Sequence, residues 1–310
     1  MVEPNVVPGS DGAGVVISVG KSVLSHAPGD KVVTHLVPNI AASRFPTAVD
    51  ISAGLGQAAD GTIREYGVFH ENTLVHMPTN LSFEQAATLT CSGLTAWNAL
   101  YGGGSGPKKG DTILTQGTGG VSIAAVQVRF SYHESISYDL RLNDVSLQFA
   151  YAAGATVIST TSSDEKAARL TALGASHTIN YRADKQWGMT ARSLTANSTG
   201  VTNIVDVGGM STLAQSFQAV CVDGVVSLTG ILGDEADEKP SVMDCLWRVC
   251  SARGLFLGTR NQFNDMVKFI EEKGIEPVVD DKIFNMDEVK EAFEWLEKQK
   301  HFSKVVIRIA

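Results

Sequence analysis

The chain has 310 residues, of which 44% are hydrophobic and 19% charged, with 30 Gly and 9 Pro. At roughly 100–200 residues per domain this suggests two domains or one large one, and the composition excludes disordered and fibrous chains. Lys and Arg number 25 against 33 Asp and Glu, a formal charge of −8, which argues against nucleic acid or an anionic membrane as the main partner, because phosphate binding needs an excess of cations.

Four cysteines, Cys91, Cys221, Cys245 and Cys250, are too few for a disulfide scaffold and suit a reducing compartment. No stretch approaches about 18 consecutive apolar residues. The opening MVEPNVVPGSDGAG has neither the basic region nor the apolar run of a signal peptide. A cytoplasmic protein that handles a small molecule, with no membrane or nucleic-acid partner, is the expectation.

In chain order, the first 85 or so residues are rich in β-branched runs and turn signals. VVISV at 15–19 reads as a strand. APGDKVVTHLV places Pro28-Gly29-Asp30 before another, and GTIREYGVFHENTLVHMP is again strand-like. From Ser82 the period becomes helical. LSFEQAATLTCSGLTAWNAL carries apolar residues at helical spacing, with Ser82 as N-cap and Glu84 in the first turn. After the loop YGGGSGPKKGD come six short apolar segments: TILTQ (112–116), TVISTT (156–161), HTIN (177–180), TNIVDVG (202–208), GVVSLTG (224–230) and GLFLGT (254–259). Helical patterns such as DEKAARLTALGA lie between most of them, so an α/β fold with a doubly wound parallel sheet is expected. The tail from Pro277 reads as strand, amphipathic helix, strand.

Directly after TILTQ stands Gly117-Thr118-Gly119-Gly120-Val121-Ser122. A glycine-rich strand-to-helix turn lets backbone N–H groups approach a pyrophosphate at a helix N-terminus. Alone the motif is weak; with five further strands behind it, dinucleotide binding is the favoured reading. The residues that meet the adenosine ribose should follow about 20 positions later. Yet the second strand ends at Thr161, which is 161 − 120 = 41 residues on. IAAVQ (123–127) and FAYAAG (149–154) read as two halves of one buried crossover helix, and removing residues 128–148, from Val128 to Gln148, gives 41 − 21 = 20. This segment is expected to be a retained intron: Val128-Arg129 is compatible with a splice donor, Gln148 with an acceptor and Leu142-Asn143 with a branch site. A true surface insertion is the alternative, and recovery of the tryptic peptide 130–141 from cells would establish it.

PGSDGAGVVISVG, PGDKV, DGTIREYGVFHENTLVHMP, AATLTCSGLTAWNAL, QGTGGVS, AAGATVISTTSSDEK, LGASHTINYR and HFSKVVI together resemble the medium-chain dehydrogenase/reductase superfamily, in its zinc-free quinone-oxidoreductase-like branch, often labelled zinc-type alcohol dehydrogenase-like. The resemblance covers nearly the whole chain apart from 128–148. It implies a GroES-like domain over 1–85 and 278–310 and a Rossmann domain over 86–277, hydride transfer with a nicotinamide cofactor, and a homodimer. Family members open with further strands before the segment matching PGSDGAG, so an N-terminally truncated chain is expected.

Zinc members have His-Glu where this chain has Ser10-Asp11. Cys91 matches a ligand position, although a lone Cys among small residues is more often a buried core thiol. A closed structural site needs four clustered Cys, and Cys245 and Cys250 are two. No metal is expected. For the cofactor, NAD-preferring folds place Asp or Glu at the end of the second strand. Here Thr160-Thr161-Ser162-Ser163 stand there, with no acid until Asp164. Hydroxyls followed by Lys166 suit a 2′-phosphate, so NADP(H) is expected, the alternative for Lys166 being a solvated helix charge. By resemblance, Ser162, Lys166 and Tyr181 would hold the phosphate and adenine. Thr95 would lie beside the nicotinamide, with Gly208, Gly209, Thr229 and Leu232 on the loops along the cofactor.

No residue stands out as a general acid. His35, His70 and His76 read as surface or core histidines, and Arg260 suits a contact with substrate or a partner subunit, or equally a structural ion pair. The expected function is an NADPH-dependent reductase of quinones, enones or related activated groups. The alternatives are a zinc alcohol dehydrogenase, or an NADP-binding protein impaired by truncation and insert.

Overall fold

A computed structural model describes residues 3–104, 106–124, 149–150, 153–230, 240–298 and 301–309; the segment 128–148 and Leu232 lie outside the described residues. The chain divides into two compact units, one built from Met1–Leu94 together with Phe256–Ala310 and the other from Thr95–Leu255.

In the first unit, β1 (Ala13–Val15), β2 (Lys31–Thr34) and β3 (Leu74–His76) form an antiparallel sheet in the order β1-β2-β3. The strand expected over 15–19 is shorter and earlier. Pairing ends where Val15 meets Lys31, because the chain turns at Gly29, whose φ of +96° needs glycine. Beyond that point Ile17 and Val19 are exposed. After the short helix α1 (Ala48–Ser52), α2 (Phe83–Ala87) starts on the expected cap: the Ser82 hydroxyl accepts from Gln85 N–H at 3.2 Å while the Gln85 side chain accepts from Ser82 N–H at 3.0 Å. The single helix expected beyond it breaks into a π turn over Leu89–Gly93, and α3 (Leu94–Tyr101) follows. β-Branched Thr88 and Thr90 disfavour a continuous helix here, and the Thr88 hydroxyl bonds back to the Gln85 carbonyl at 2.8 Å.

The second unit carries one six-stranded parallel sheet. Its strands are β4 (Thr112–Gln116), β5 (Thr156–Thr161), β6 (His177–Asn180), β7 (Val201–Asp206), β8 (Val220–Leu228) and β9 (Ser251–Gly254). Their order, β6-β5-β4-β7-β8-β9, is the doubly wound one, with the topological switch between β5–β4 and β7. All five residues of β4 are buried, as a central strand covered on both faces requires. Around it, α4 (Gly120–Ala124), α5 (Asp164–Ala172), α6 (Trp187–Ser193), α7 (Met210–Ala219) and α8 (Met243–Arg248) supply the helices. Leu114, Ile158, Ile179, Trp187, Ile204, Phe217 and Val226 belong to one buried core cluster of this unit. Each such side chain contributes roughly 1.5–3 kcal/mol on burial.

The sixth strand is not GLFLGT but the preceding Ser-Ala-Arg-Gly. An edge strand, half solvated, has no need of apolar residues, so hydrophobicity did not mark it. Thr259 instead caps α9 (Arg260–Lys273) in the first unit, where the terminal β10 (Val279–Asn285), α10 (Val289–Glu297) and β11 (Lys304–Arg308) match the expected strand–helix–strand, with β10 and β11 paired in parallel. Among the described residues no helix is long and apolar enough to cross a membrane.

Candidate functional site

The glycine turn sits at the carboxyl end of β4, on the switch point. Gly117 has φ +79° and donates its N–H to the Thr160 carbonyl of β5 at 2.8 Å. Thr118 is buried, and Gly119 is exposed. Gly120 and Val121 open α4, and the Ser122 hydroxyl turns back to the Gln116 carbonyl. A Cβ on Gly117 or Gly119 would meet no described atom within 4 Å. At 117 the dihedral demands glycine. At 119 the chain itself imposes no such demand, and an open approach to the backbone is what a pyrophosphate needs.

Two residues that sequence reasoning missed hold this turn. Gln116, at the end of β4, donates to Asp206 Oδ2 at 3.0 Å and to Ser216 Oγ at 2.8 Å, while its Oε1 accepts from Val207 N–H at 3.2 Å and Gly208 N–H at 3.4 Å. Asp206, at the end of β7 and fully buried, also accepts from Gly209 N–H at 2.9 Å, Thr212 Oγ1 at 2.7 Å and Ser216 Oγ at 2.6 Å. Its carbonyl takes the N–H and hydroxyl of Thr229 at 2.8 and 3.1 Å. A buried carboxylate with this many donors is a fully satisfied network. It joins Gly117, Gly208, Gly209 and Thr229 into one platform across β4, β7 and β8. The available signal was a polar residue ending each of two strands just before glycine: Gln116-Gly117, and Asp206 two residues before Gly208-Gly209.

At the neighbouring end of β5, Thr161 faces Asn180 and Tyr181 donates its N–H to the Thr161 carbonyl at 3.0 Å. Ser162 therefore lies next to Tyr181, whose side chain is partly exposed. Ser163 caps α5, accepting from Lys166 N–H at 3.3 Å. Asp164, the first acid after β5, accepts from the Asn180 side chain at 3.1 Å. The Thr161 hydroxyl is buried without a hydrogen-bond partner among the described residues. Thr95 is buried in α3.

In the first unit, the Ser10 hydroxyl bonds Asp11 Oδ1 at 2.7 Å and the Lys304 ammonium bonds Asp11 Oδ2 at 2.8 Å. Burial would lower the Lys304 pKa, but the Asp11 carboxylate, Cys91 and the hydrogen bond outweigh it, and the pKa is raised. His35 is buried, with Nε2 3.2 Å from the Gly258 carbonyl and Nδ1 3.1 Å from that of Val37. His70 caps a short turn, and the Arg260 side chain bonds Asn72.

Burial holds the His35 pKa below 6.5, against its two backbone hydrogen bonds. As pH falls below 6.5 the unfolded chain takes up this proton first, so stability falls by up to about 1.4 kcal/mol per pH unit from this group, down to its folded pKa. Urea midpoints at pH 7.5 and 5.5 should show a smaller fall for His35→Gln than for the parent chain. An equal fall would contradict this account.

Residues 144–272 match the family model "Zinc-binding dehydrogenase", and residues 1–79 match "Alcohol dehydrogenase GroES-like domain". A zinc-type alcohol dehydrogenase-like protein of Schizosaccharomyces pombe is 40% identical over 98% of this chain and 82% of its own length. The chain belongs to the zinc-type alcohol dehydrogenase-like proteins of the medium-chain dehydrogenase/reductase superfamily. It is an oxidoreductase of that superfamily, whose members bind nicotinamide dinucleotides. A crystal structure of an NAD-dependent alcohol dehydrogenase superposes with TM-score 0.80 at 29% identity, covering 100% of this chain and 84% of the other. A quinone oxidoreductase from Pseudomonas syringae pv. tomato superposes with TM-score 0.71 at 25% identity, covering 97% and 81%.

Proposed function

We propose that this family member is an NADPH-dependent reductase of quinones, enones or similarly activated double bonds and carbonyls, zinc-free at the family's catalytic position. The observation that carries the cofactor preference is the end of β5. Hydroxyls of Ser162 and Ser163 replace the acid that would bind ribose hydroxyls, the nearest carboxylate, Asp164, is turned to Asn180, and Lys166 stands one turn into α5. A carboxylate there would repel a 2′-phosphate; a lysine attracts it. Ser162, Lys166 and Tyr181 hold the phosphate and adenine. With Gly117 shaping the turn, the N–H groups from Thr118 to Val121 meet the pyrophosphate, and Thr95, Gly208, Gly209 and Thr229 border the nicotinamide half. When bound, the dihydronicotinamide supplies a hydride.

The residues at the family's zinc position do not fit the metal. One thiol (Cys91), one hydroxyl (Ser10) and a carboxylate already neutralised by Lys304 lack the three N, S or O ligands of a catalytic zinc. The quinone oxidoreductase likeness supports an acceptor that needs no metal to polarise it. Val242, Met243, Leu246, Trp247 and Val249, all exposed around edge strand β9, support a homodimer, which the mass in solution would test.

Fluorescence titration should show NADPH binding at least about tenfold tighter than NADH, with Lys166→Ala losing most of that preference at about 1–1.5 kcal/mol. Equal affinities, or an unchanged ratio in Lys166→Ala, would refute the assignment. Turnover of a benzoquinone with NADPH by metal-free protein tests the acceptor class.

A further inference from the structure

We propose that His26, Asp30 and His76 form a site for one divalent ion of the Zn2+ type, outside the cofactor platform and sharing no residue with the Ser10–Asp11–Cys91 position. Each side chain offers a ligand atom, and the three atoms lie within 4.8 Å of one another. Two imidazoles and a carboxylate with a position left for water are a donor set for a borderline ion such as Zn2+. Ca2+ and Mg2+, which want six or more oxygens or an octahedral shell, fit it poorly.

The three ligands are held in place before any ion arrives. His26 Nε2 lies 3.3 Å from the Glu71 carbonyl; donation there fixes the tautomer with the lone pair on Nδ1. That Nδ1 is buried and has no hydrogen-bond partner among the described residues, a costly arrangement that coordination would relieve. The loop carrying His26 is tied down by the same Glu71, whose carboxylate accepts from the Ser25 hydroxyl at 2.6 Å and from Leu24 and Ser25 N–H at 3.4 Å each. Asp30 closes the Pro28-Gly29 turn. Its Oδ2 accepts from Ala27 N–H at 2.8 Å, and its own N–H reaches the Ala27 carbonyl at 3.1 Å. His76 is fixed by β3, opposite Val32 of β2. Its ring lies 5.0 Å from that of His26, tilted by 50° rather than stacked. An ion here would staple the 24–30 loop to the third strand of the sheet.

The test uses the full chain stripped with chelator and titrated calorimetrically with Zn2+ alone. One ion per chain is expected at this site. His76→Ala, an exposed position that leaves the fold intact, and Asp30→Asn, which retains an acceptor for Ala27, should each weaken it at least about tenfold. Cys91→Ser should leave it unchanged. In thermal melts, Zn2+ should raise the midpoint of the parent chain and not that of His76→Ala. Unaltered Zn2+ affinity in His76→Ala, loss of the ion in Cys91→Ser, or no saturable binding by the parent chain would each overturn the proposal.

Discussion

Asp206→Ala should destabilise the protein by about 3–5 kcal/mol, a large effect for one truncation. The carboxylate lies fully buried at the end of β7 and accepts from Gln116, Ser216, Thr212 and the Gly209 N–H. Its removal takes away the shared acceptor of four donors, of which Gln116 keeps its bond to Ser216 and Thr212 its bond to the Gly209 carbonyl. Each unsatisfied donor costs roughly 1–3 kcal/mol, and relaxation recovers part of the sum. Asp206→Asn should cost less, because one oxygen remains, but the new amide N–H₂ faces donors. Ser216→Ala removes one contact and should cost about 1 kcal/mol. Urea unfolding of the three variants gives the ranking directly. A loss below about 1 kcal/mol for Asp206→Ala would show that the network is dispensable.

Gly119→Val should do the opposite: leave the fold nearly as stable as before and weaken dinucleotide binding about a hundredfold or more. A Cβ at 119 meets no described atom within 4 Å, and φ there is not left-handed, so no clash among the described residues opposes it. The same side chain would occupy the approach of a pyrophosphate to the backbone N–H groups of the turn. Gly117→Val is the informative partner, since φ +79° makes it costly to the fold as well. Thermal melting and NADPH titration of both variants separate the roles. Wild-type affinity in Gly119→Val would remove the turn from the binding site.

The inner strands β4 and β5 were legible in the sequence at their observed boundaries because buried parallel strands read as apolar runs between turn signals, and β6, at one edge of the sheet, was legible through its β-branched Thr178-Ile179. The edge strand β9 was not, since Ser251 and Ala252 are exposed there and nothing in a half-solvated Ser-Ala-Arg-Gly separates strand from loop. Ser82 announced α2 through local capping chemistry, whereas the π turn at Leu89–Gly93 depends on how backbone groups are shared within a continuous helical pattern. The glycine turn was visible as a motif; the Gln116–Asp206 pair behind it joins residues 90 apart, and only the parallel register of β4 and β7 brings them together. Likewise His26 and Asp30 are near neighbours in sequence, but His76 reaches them only through β2–β3 pairing.

The first unit is assembled from both ends of the chain, and the Lys304–Asp11 ion pair closes a loop of 293 residues. During synthesis, residues 1–94 emerge long before β10, α9 and β11, which complete their fold, while the parallel sheet of the second unit has all its strands once Gly254 is out. Unit two is thus free to fold first, and the amino-terminal segment must wait on the ribosome with β3 still lacking α9, the helix that packs against it. A ribosome stalled just after residue 255 has cleared its exit tunnel should carry a folded nucleotide domain beside a protease-sensitive amino-terminal third.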